Sequence, residues 1–243
     1  AAAVVLALAV AVKYYVAIVA VAVLLRREWR LLLTLAIAVL VLWLGVPTVA
    51  LGPAGNAAFY ATVRERVAHA MTTWMPEDIN AQYLPSVAGR WLGTAAGRPF
   101  WRLLGYGLFG LNLLAVARLV WRRGPRDVEW AFALLFLGLP LAIDTSWPHY
   151  FVYLPFAQTL VWLALREATG WTRRLAAFLL SVSVVLASMP FFALVGRWQD
   201  YSQYGILFVA NLGLLITAHA LTLRPAARSG RPASPAEPAT AAR

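Results

Sequence analysis

The chain of 243 residues is 62% hydrophobic and 13% charged, with a mean hydropathy of +0.70. An ordinary soluble enzyme is about half apolar and a quarter charged, so this composition excludes that class together with disordered and fibrous proteins. Only in a lipid bilayer can so much apolar surface remain without burial in a protein core. The absence of cysteine excludes disulfides, thiolate catalysis, iron–sulfur clusters and cysteine-type zinc sites.

Seven segments are long and apolar enough, some of them marginally, for the roughly 20 residues of a spanning helix. They predict an all-α, polytopic membrane helical bundle of about seven transmembrane helices: 1–25, 31–51, 100–120, 128–144, 149–165, 175–196 and 204–223. Pro148 and Pro155 disfavour one continuous helix over the fourth and fifth segments, because proline removes a backbone donor. We therefore expect a helical hairpin with a tight turn at 144–149.

The basic residues orient the bundle. The chain has a net charge of +11, and its basic residues lie in short clusters between apolar runs. This pattern indicates membrane orientation rather than nucleic-acid binding. One set of alternate connections holds 14 of the 21 basic residues and the opposite set holds six, so the first set is predicted to be cytoplasmic. The outer face then contains about 52–99, the turn at 144–149 and residues 197–204. We expect a multi-pass protein of the plasma (inner) membrane, with a membrane domain at 1–223 and a disordered cytoplasmic tail at 224–243.

The outer segment 52–99 is much longer than an ordinary connection. Apolar residues recur every four positions in its first part, which predicts an amphipathic helix along the membrane surface: Phe59, Val63, Val67 and Met71. Polar residues follow among aromatic ones: Glu77, Asp78, Asn80, Gln82 and Arg90. An interfacial aromatic belt and a substrate-facing loop explain this second part equally well.

Three residues are candidates for binding chemistry. Lys13 lies inside an apolar segment, where a charged side chain costs free energy and is taken as functional by default. The alternative is that its long side chain extends, or snorkels, to the membrane interface. A buried ammonium that faces a cavity suits a lipid phosphate. Asp144 and His149 bracket the tight turn, and an imidazole there donates to a phosphate or transfers a proton. The alternative is a histidine with an ordinary interfacial hydrogen bond.

Other chemistry is not indicated. The sequence contains no metal-ligand spacing, phosphate-binding glycine loop or nucleophile elbow, and we expect neither a metal nor a cofactor. Polar residues within the later segments are predicted to form hydrogen bonds between helices, as in other membrane bundles: Asn112, Ser181, Ser183 and Asn211. His219, in the final segment, is predicted to be a packed polar residue rather than a ligand.

Three stretches carry a family resemblance. VKYYVAIVAVAVLLRREWR (12–30) places a lysine and two tyrosines before an Arg/Trp cluster, INAQYLPSVAGRW (79–91) is a polar outer segment, and DTSWPHYFVYLP (144–155) contains a Ser-Trp-x-His-aromatic turn. Together they resemble the integral-membrane glycosyltransferases of the C-type superfamily, in particular glycosyltransferase family 87, whose members include polyprenyl-phosphate-mannose-dependent mannosyltransferases. The proline typical of the first stretch, two or three residues after the lysine, is replaced here by Tyr15 or Val16.

The resemblance implies an inverting transfer of a sugar, mannose or another hexose, from a polyprenyl-phosphate donor to a glycolipid or glycan acceptor on the outer membrane face. The chain begins without methionine, and we expect it to be the C-terminal portion of a longer protein. In such enzymes the catalytic base is a carboxylate in the first outer loop, expected upstream of residue 1, so this portion is expected to be inactive alone. Asp144 and Asp78 are the fallback candidates for the base.

For the donor pocket, the resemblance implies phosphate neutralisation by Lys13 and Arg90. His149 would donate a hydrogen bond to the phosphate, and Asp78 or Asn80 would hold sugar hydroxyls. Two alternatives stay open: a transporter or flippase of a lipid-linked substrate, and a noncatalytic membrane scaffold. The absence of an internal repeat argues against the transporter, and Lys13 argues against the scaffold.

The split of basic residues makes a testable prediction of topology. Cysteines introduced at Arg90 and His149 should react with a membrane-impermeant maleimide added to intact cells, and cysteines at Arg122 and Arg173 only after permeabilisation. The native chain has no cysteine, so the background is clean. Labelling of position 149 only after permeabilisation would invert the topology.

Overall fold

The computed structural model describes residues 2–69, 78–92, 98–122, 125–144 and 146–222. Within these ranges all regular structure is helical and no strand occurs, which confirms the all-α prediction. The predicted tail at 224–243 lies outside the described residues, as do Glu77 and Met71.

Helices occur in each of the seven predicted segments. In chain order the α-helices are α1 Ala2–Val12, α2 Val19–Leu25, α3 Trp29–Leu40, α4 Val46–His69, α5 Leu84–Leu92, α6 Arg98–Arg122, α7 Pro125–Ala142, α8 Leu154–Leu165, α9 Gly170–Leu186, α10 Met189–Leu194, α11 Trp198–Gln203 and α12 Ile206–Thr222. A 3-10 helix, Tyr14–Ile18, separates α1 from α2, and a second, Pro148–Tyr153, precedes α8. A π-helical turn, Val41–Gly45, joins α3 to α4. The end of α7 at Ala142 and the start of the 3-10 helix at Pro148 confirm the predicted break between the fourth and fifth segments.

Two helical stretches of the described chain are long and apolar enough to cross a membrane: Trp29–His69, which is kinked at Gly52, and Arg98–Arg122. Shorter apolar stretches are Ala2–Val12, Tyr14–Leu25 and Ile206–Thr222. The number of crossings therefore stays a prediction. Large apolar side chains are also widely exposed, with Val49 at 89% and Leu103 at 73%. Apolar surface on this scale is typical of a protein in contact with lipid.

The core is built around α7, which packs against α2, α6, α8 and α12. Leu134, Leu135 and Leu137 of α7 are fully buried, as are Val161 of α8 and Leu214 of α12. A helix that is apolar on all sides must be covered on all sides, which explains the central place of α7. The α7 helix ends at the turn that carries His149, so the core fixes the position of that turn.

Polar side chains join α7 to its neighbours. Asn112 of α6 donates to the carbonyl oxygen of Leu134 at 2.8 Å, and Asn211 of α12 donates to that of Leu137 at 2.8 Å. His219 lies 3.0 Å from the Asn112 side-chain oxygen, and Ser183 accepts from Gln158 of α8 at 3.2 Å. These contacts confirm the predicted interhelical role of Asn112, Ser183 and Asn211, and His219 is a packed polar residue as predicted. The prediction for Ser181 is wrong, because its hydroxyl donates to Ala177 in its own helix.

The outer segment turns sharply at Gly52. This residue has φ +74° inside α4, a left-handed conformation that side chains with a Cβ rarely adopt. After the turn, Asn56 donates to the Thr48 hydroxyl at 2.7 Å and the Tyr60 hydroxyl donates to the Trp43 carbonyl oxygen. The residues after Gly52 are thus helical as predicted, but they first fold back against the end of the preceding helix.

The close approach of α6 and α7 makes a second prediction. A Cβ on Gly105 would lie 2.0 Å from the carbonyl oxygen of Leu141, so Gly105→Ala must push the two helices apart. We expect a loss of about 1–3 kcal/mol, measured as a lower thermal denaturation midpoint in detergent. Gly107→Ala is the matched control on the same helix, because no atom lies within 4 Å of its added Cβ. An equal loss in both variants would contradict this account of the interface.

Candidate functional site

The first predicted span is interrupted at Lys13, the single lysine of the chain. Lys13 has φ −141° and ψ 96°, an extended conformation between α1 and the 3-10 helix at Tyr14–Ile18. The sequence predicted one span over 1–25, and no glycine or proline in that segment signals a break. Non-helical backbone at membrane depth is tolerated only inside protein or beside a water-filled cavity. The helix break thus coincides with the lysine, which is half-buried between the exposed residues Val12 and Tyr14.

An aromatic cluster receives the lysine. Its Nζ lies 5.0 Å from the centroid of the Tyr150 ring, within the range of a cation–π interaction. Tyr15, which is buried, packs edge-on against the same ring with centroids 4.8 Å apart. Lys13 makes no salt bridge with another residue of the described ranges. The aromatic face of Tyr150 thus contacts the Lys13 ammonium, whose N–H groups can still donate hydrogen bonds.

The turn after α7 brings His149 beside this cluster. The ring of His149 lies 4.4 Å from that of Tyr150, and Trp147 lies parallel to Tyr150 at 6.3 Å. Partial burial lowers the pKa of His149, and the positive charge of Lys13 lowers it further. The imidazole is therefore neutral at neutral pH, with one nitrogen that donates and one that accepts.

The carboxylate of Asp78 is tied to the turn. Its Oδ2 accepts a hydrogen bond from the indole nitrogen of Trp147 at 2.7 Å, and its Oδ1 accepts one from the backbone of Asn80 at 2.8 Å. The three sequence stretches that contain Lys13, Asp78 and His149 therefore meet at one place, through the rings of Trp147 and Tyr150. Only tertiary structure joins them, since 65 residues separate Lys13 from Asp78.

A cavity of about 960 Å³ opens at this meeting point. Its polar part is lined by Asp78, Asn80 and His149. Apolar residues from five helical segments also line it: Val152, Leu154, Pro155, Val184, Met189 and Leu207. Ligand sites combine this kind of largely apolar wall with a few convergent polar groups. The arrangement suits an amphiphilic ligand whose polar head lies at Asp78 and His149.

Arg90 holds the outer loop in place. Its guanidinium donates to the carbonyl oxygens of Gln203 at 2.9 Å, Ala81 at 3.0 Å and Asp78 at 3.2 Å, with a fourth contact to Ser202 at 3.5 Å. Burial lowers the pKa of Arg90, while the negative charge of Asp78 partly opposes this shift. The structure thus gives Arg90 a positioning role between Asp78 and α11, and its assignment to the donor phosphate stays a prediction.

Asp144 has a different setting from Asp78. Its carboxylate lies 3.5 Å from the guanidinium of Arg102, and it is not among the described residues that line the cavity. Of the two fallback candidates for the catalytic base, Asp78 is the one beside the cavity.

Sequence reasoning missed the connecting residues. Trp147 and Tyr150 appeared only as part of a motif, although they link Lys13, His149 and Asp78. Gln82 was grouped with the polar loop residues, yet it is fully buried. Its backbone N–H donates to Ser146 at 2.8 Å and its side chain donates to Ser202 at 3.0 Å. The sequence feature that could have indicated the burial of Gln82 is its position as a polar residue among aromatic ones.

The role of Arg90 makes a third prediction. Arg90→Gln should loosen residues 78–92 and cost about 1.5–3 kcal/mol, because charge-assisted bonds to buried carbonyls are lost. Faster amide hydrogen exchange in 78–92 and a lower denaturation midpoint measure the effect. Arg197→Gln is the control, since Arg197 forms an exposed ion pair with Asp200 that is worth about 0–1 kcal/mol. Equal amide hydrogen exchange in both variants would show that Arg90 does not position residues 78–92.

A known protein family matches the first part of this chain. The sequence profile of glycosyltransferase family 87 matches residues 1–143, which is more than half of the chain. The match includes Lys13, Asp78, Asn80 and Arg90, and it ends one residue before Asp144. No curated protein and no protein of solved structure matches the chain. The chain therefore belongs to glycosyltransferase family 87, a family of membrane glycosyltransferases.

Proposed function

We propose that this protein transfers a sugar, mannose or another hexose, from a polyprenyl-phosphate donor to a glycolipid or glycan acceptor. The reaction takes place on the extracytoplasmic face of the plasma (inner) membrane, in a multi-pass protein whose C-terminus is cytoplasmic. Family membership supports glycosyl transfer in a membrane. The observation that carries the donor class is the amphiphilic cavity, which combines a carboxylate, an imidazole and the amides of Asn80 and Gln158 with a largely apolar wall.

The donor's phosphate lies near Lys13 and His149 in this proposal. Lys13 supplies a full positive charge without a carboxylate partner among the described residues. His149 lines the cavity and is electrostatically coupled to Lys13. The phosphate of this donor is a phosphodiester with one negative charge, which attracts the Lys13 ammonium and accepts a hydrogen bond from the His149 imidazole. Preorganised donors of this kind stabilise the negative charge that develops on the departing phosphate.

The sugar hydroxyls lie against Asp78 and Asn80. Hydrogen bonds from Trp147 and from the Asn80 backbone fix the Asp78 carboxylate, which leaves its remaining lone pairs for hydroxyl donors. The Asn80 side chain is exposed and lines the same cavity. A carboxylate that accepts and an amide that both donates and accepts match the hydroxyl groups of a hexose.

The transfer inverts the anomeric centre. The acceptor oxygen forms a bond to the anomeric carbon while the bond from that carbon to the phosphate oxygen breaks, and the electron pair leaves with the lipid phosphate. The acceptor's proton passes to a carboxylate base. Asp78 is the carboxylate of the described ranges that lines the cavity, so it is the candidate base that this part of the chain offers.

A lipid-linked substrate transporter or flippase is the second candidate. The helix break at Lys13 favours it, because substrate sites of many transporters lie at interrupted helices. The two functions differ in one product: a transferase releases the lipid phosphate and glycosylates an acceptor, whereas a flippase returns the donor intact. Chromatography of a radiolabelled donor after incubation distinguishes them.

Lys13→Met tests the phosphate site, in the full-length enzyme within proteoliposomes. Insertion should improve, since a lysine at the centre of a span opposes it by roughly 2.5–3.5 kcal/mol. The apparent donor affinity should fall about ten- to a hundredfold, because a charge-assisted contact worth about 1.5–3 kcal/mol is lost. Lys13→Arg should restore part of the affinity, limited by the shape of guanidinium.

Arg26→Met is the matched control for the removal of a positive charge. Arg26 forms an ion pair with Glu28 at 2.7 Å and does not line the cavity. Its replacement should leave donor affinity unchanged. If Lys13→Met also leaves donor affinity unchanged and alters only expression, Lys13 is a snorkelling residue and the proposed phosphate site is wrong.

A further inference from the structure

Trp198 lines the same cavity as Asp78, Asn80 and His149, but it comes from a different part of the fold. It is the first residue of α11, which packs against α10 and α12. The indole is 39% exposed, so a large aromatic surface remains uncovered. The polar groups on one wall and this ring on another define a pocket with both hydrogen-bonding and stacking surfaces.

The ring of Trp198 is fixed before any ligand binds. It lies parallel to the ring of Tyr201, with centroids 5.8 Å apart and an interplanar angle of 14°. Tyr201 is fully buried and packs against Phe192 at 4.8 Å. A rigid aromatic side chain offers a large contact area at low cost in conformational entropy.

The indole nitrogen of Trp198 also differs from those of two neighbouring tryptophans. The nitrogen of Trp147 donates to Asp78 and that of Trp91 donates to the carbonyl oxygen of Tyr204, at 2.7 Å and 3.0 Å. Trp198 makes no hydrogen bond through its ring nitrogen to another residue in the described part of the chain. A ligand in the cavity therefore finds an aromatic surface and an N–H donor on one side chain.

We propose that a sugar ring of the acceptor packs on Trp198, which makes this residue a determinant of acceptor specificity. The inference rests on the proposed transferase function. Inversion requires the acceptor hydroxyl to approach the anomeric carbon from the side opposite the departing phosphate. Lys13 does not line the cavity, whereas Trp198 does, so Trp198 offers an aromatic surface to an acceptor that enters the cavity.

The chemistry of a saccharide fits this wall. One face of a pyranose ring carries mainly C–H groups, which pack on an aromatic surface, while its hydroxyl groups need donors and acceptors at the edge. Trp198 provides the surface and an N–H donor, and Asp78 with Asn80 provides further polar groups in the same cavity. A tryptophan that served only as an anchor at the membrane interface would need neither a cavity nor polar groups beside it.

Binding of a small glycoside tests the inference directly. Hexyl mannoside and hexane-1,2-diol are titrated into the full-length protein in nanodiscs, and the affinity of each is measured for the wild type, Trp198→Phe and Trp198→Ala. We expect Trp198→Ala to weaken hexyl mannoside about three- to tenfold, in line with the worth of one aromatic contact, with the diol unchanged. Trp198→Phe should lose less affinity for hexyl mannoside, because phenylalanine keeps an aromatic face. Trp171→Ala is the control, since Trp171 is 74% exposed and does not line the cavity.

A transfer assay assigns the contact to the acceptor. With a polyprenyl-phosphate mannose donor and hexyl mannoside as acceptor, Trp198→Phe should raise the KM for the acceptor and leave the KM for the donor unchanged. Unchanged mannoside affinity in Trp198→Ala, an equal loss for mannoside and diol, or a rise confined to the donor KM would overturn the inference. If the wild type transfers no sugar, the transferase proposal fails, while the binding experiment still decides whether Trp198 holds a sugar ring.

Discussion

The contact between the Lys13 ammonium and the Tyr150 ring is the interaction on which the site depends. A lysine within an apolar span costs about 2.5–3.5 kcal/mol, and the aromatic face recovers only part of this. The chain places Lys13 at a helix break, where the backbone departs from helical geometry beside the turn that carries His149. In the proposed function, the phosphate of the donor compensates this cost, since Lys13 has no carboxylate partner in the described ranges.

The position of Tyr150 is in turn set by the core. Because α7 is buried on all sides, its end at Ala142 is fixed relative to α6, α8 and α12. The turn that follows carries Trp147, whose indole holds Asp78 at 2.7 Å. Arg90 and Gln82 then tie the loop around Asp78 to α11 through backbone carbonyl oxygens. Helix packing thus determines the spacing of site residues that lie far apart in the chain.

These connections explain why one cavity has two chemical characters. Its charged and imidazole groups, Asp78 and His149, come from the outer loop and from the turn after α7, and the amide of Gln158 comes from α8. Its apolar walls come from helical segments that contain Leu154, Val184 and Leu207. A sugar linked to a lipid through a phosphate has the same division between polar and apolar parts, and family 87 membership agrees with such chemistry.

The sequence by itself determined the helical class, the helical segments and the family, because apolar runs, proline positions and short motifs are local properties. It also identified Lys13, Asp78 and His149 as unusual, since each is a polar group in an apolar or aromatic setting. It did not predict the break at Lys13, which no glycine or proline marks, nor the burial of Gln82 or the carbonyl contacts of Arg90. The contacts of Gln82 and Arg90 join segments up to 120 residues apart, and only the tertiary structure decides which carbonyl oxygens and rings come within reach.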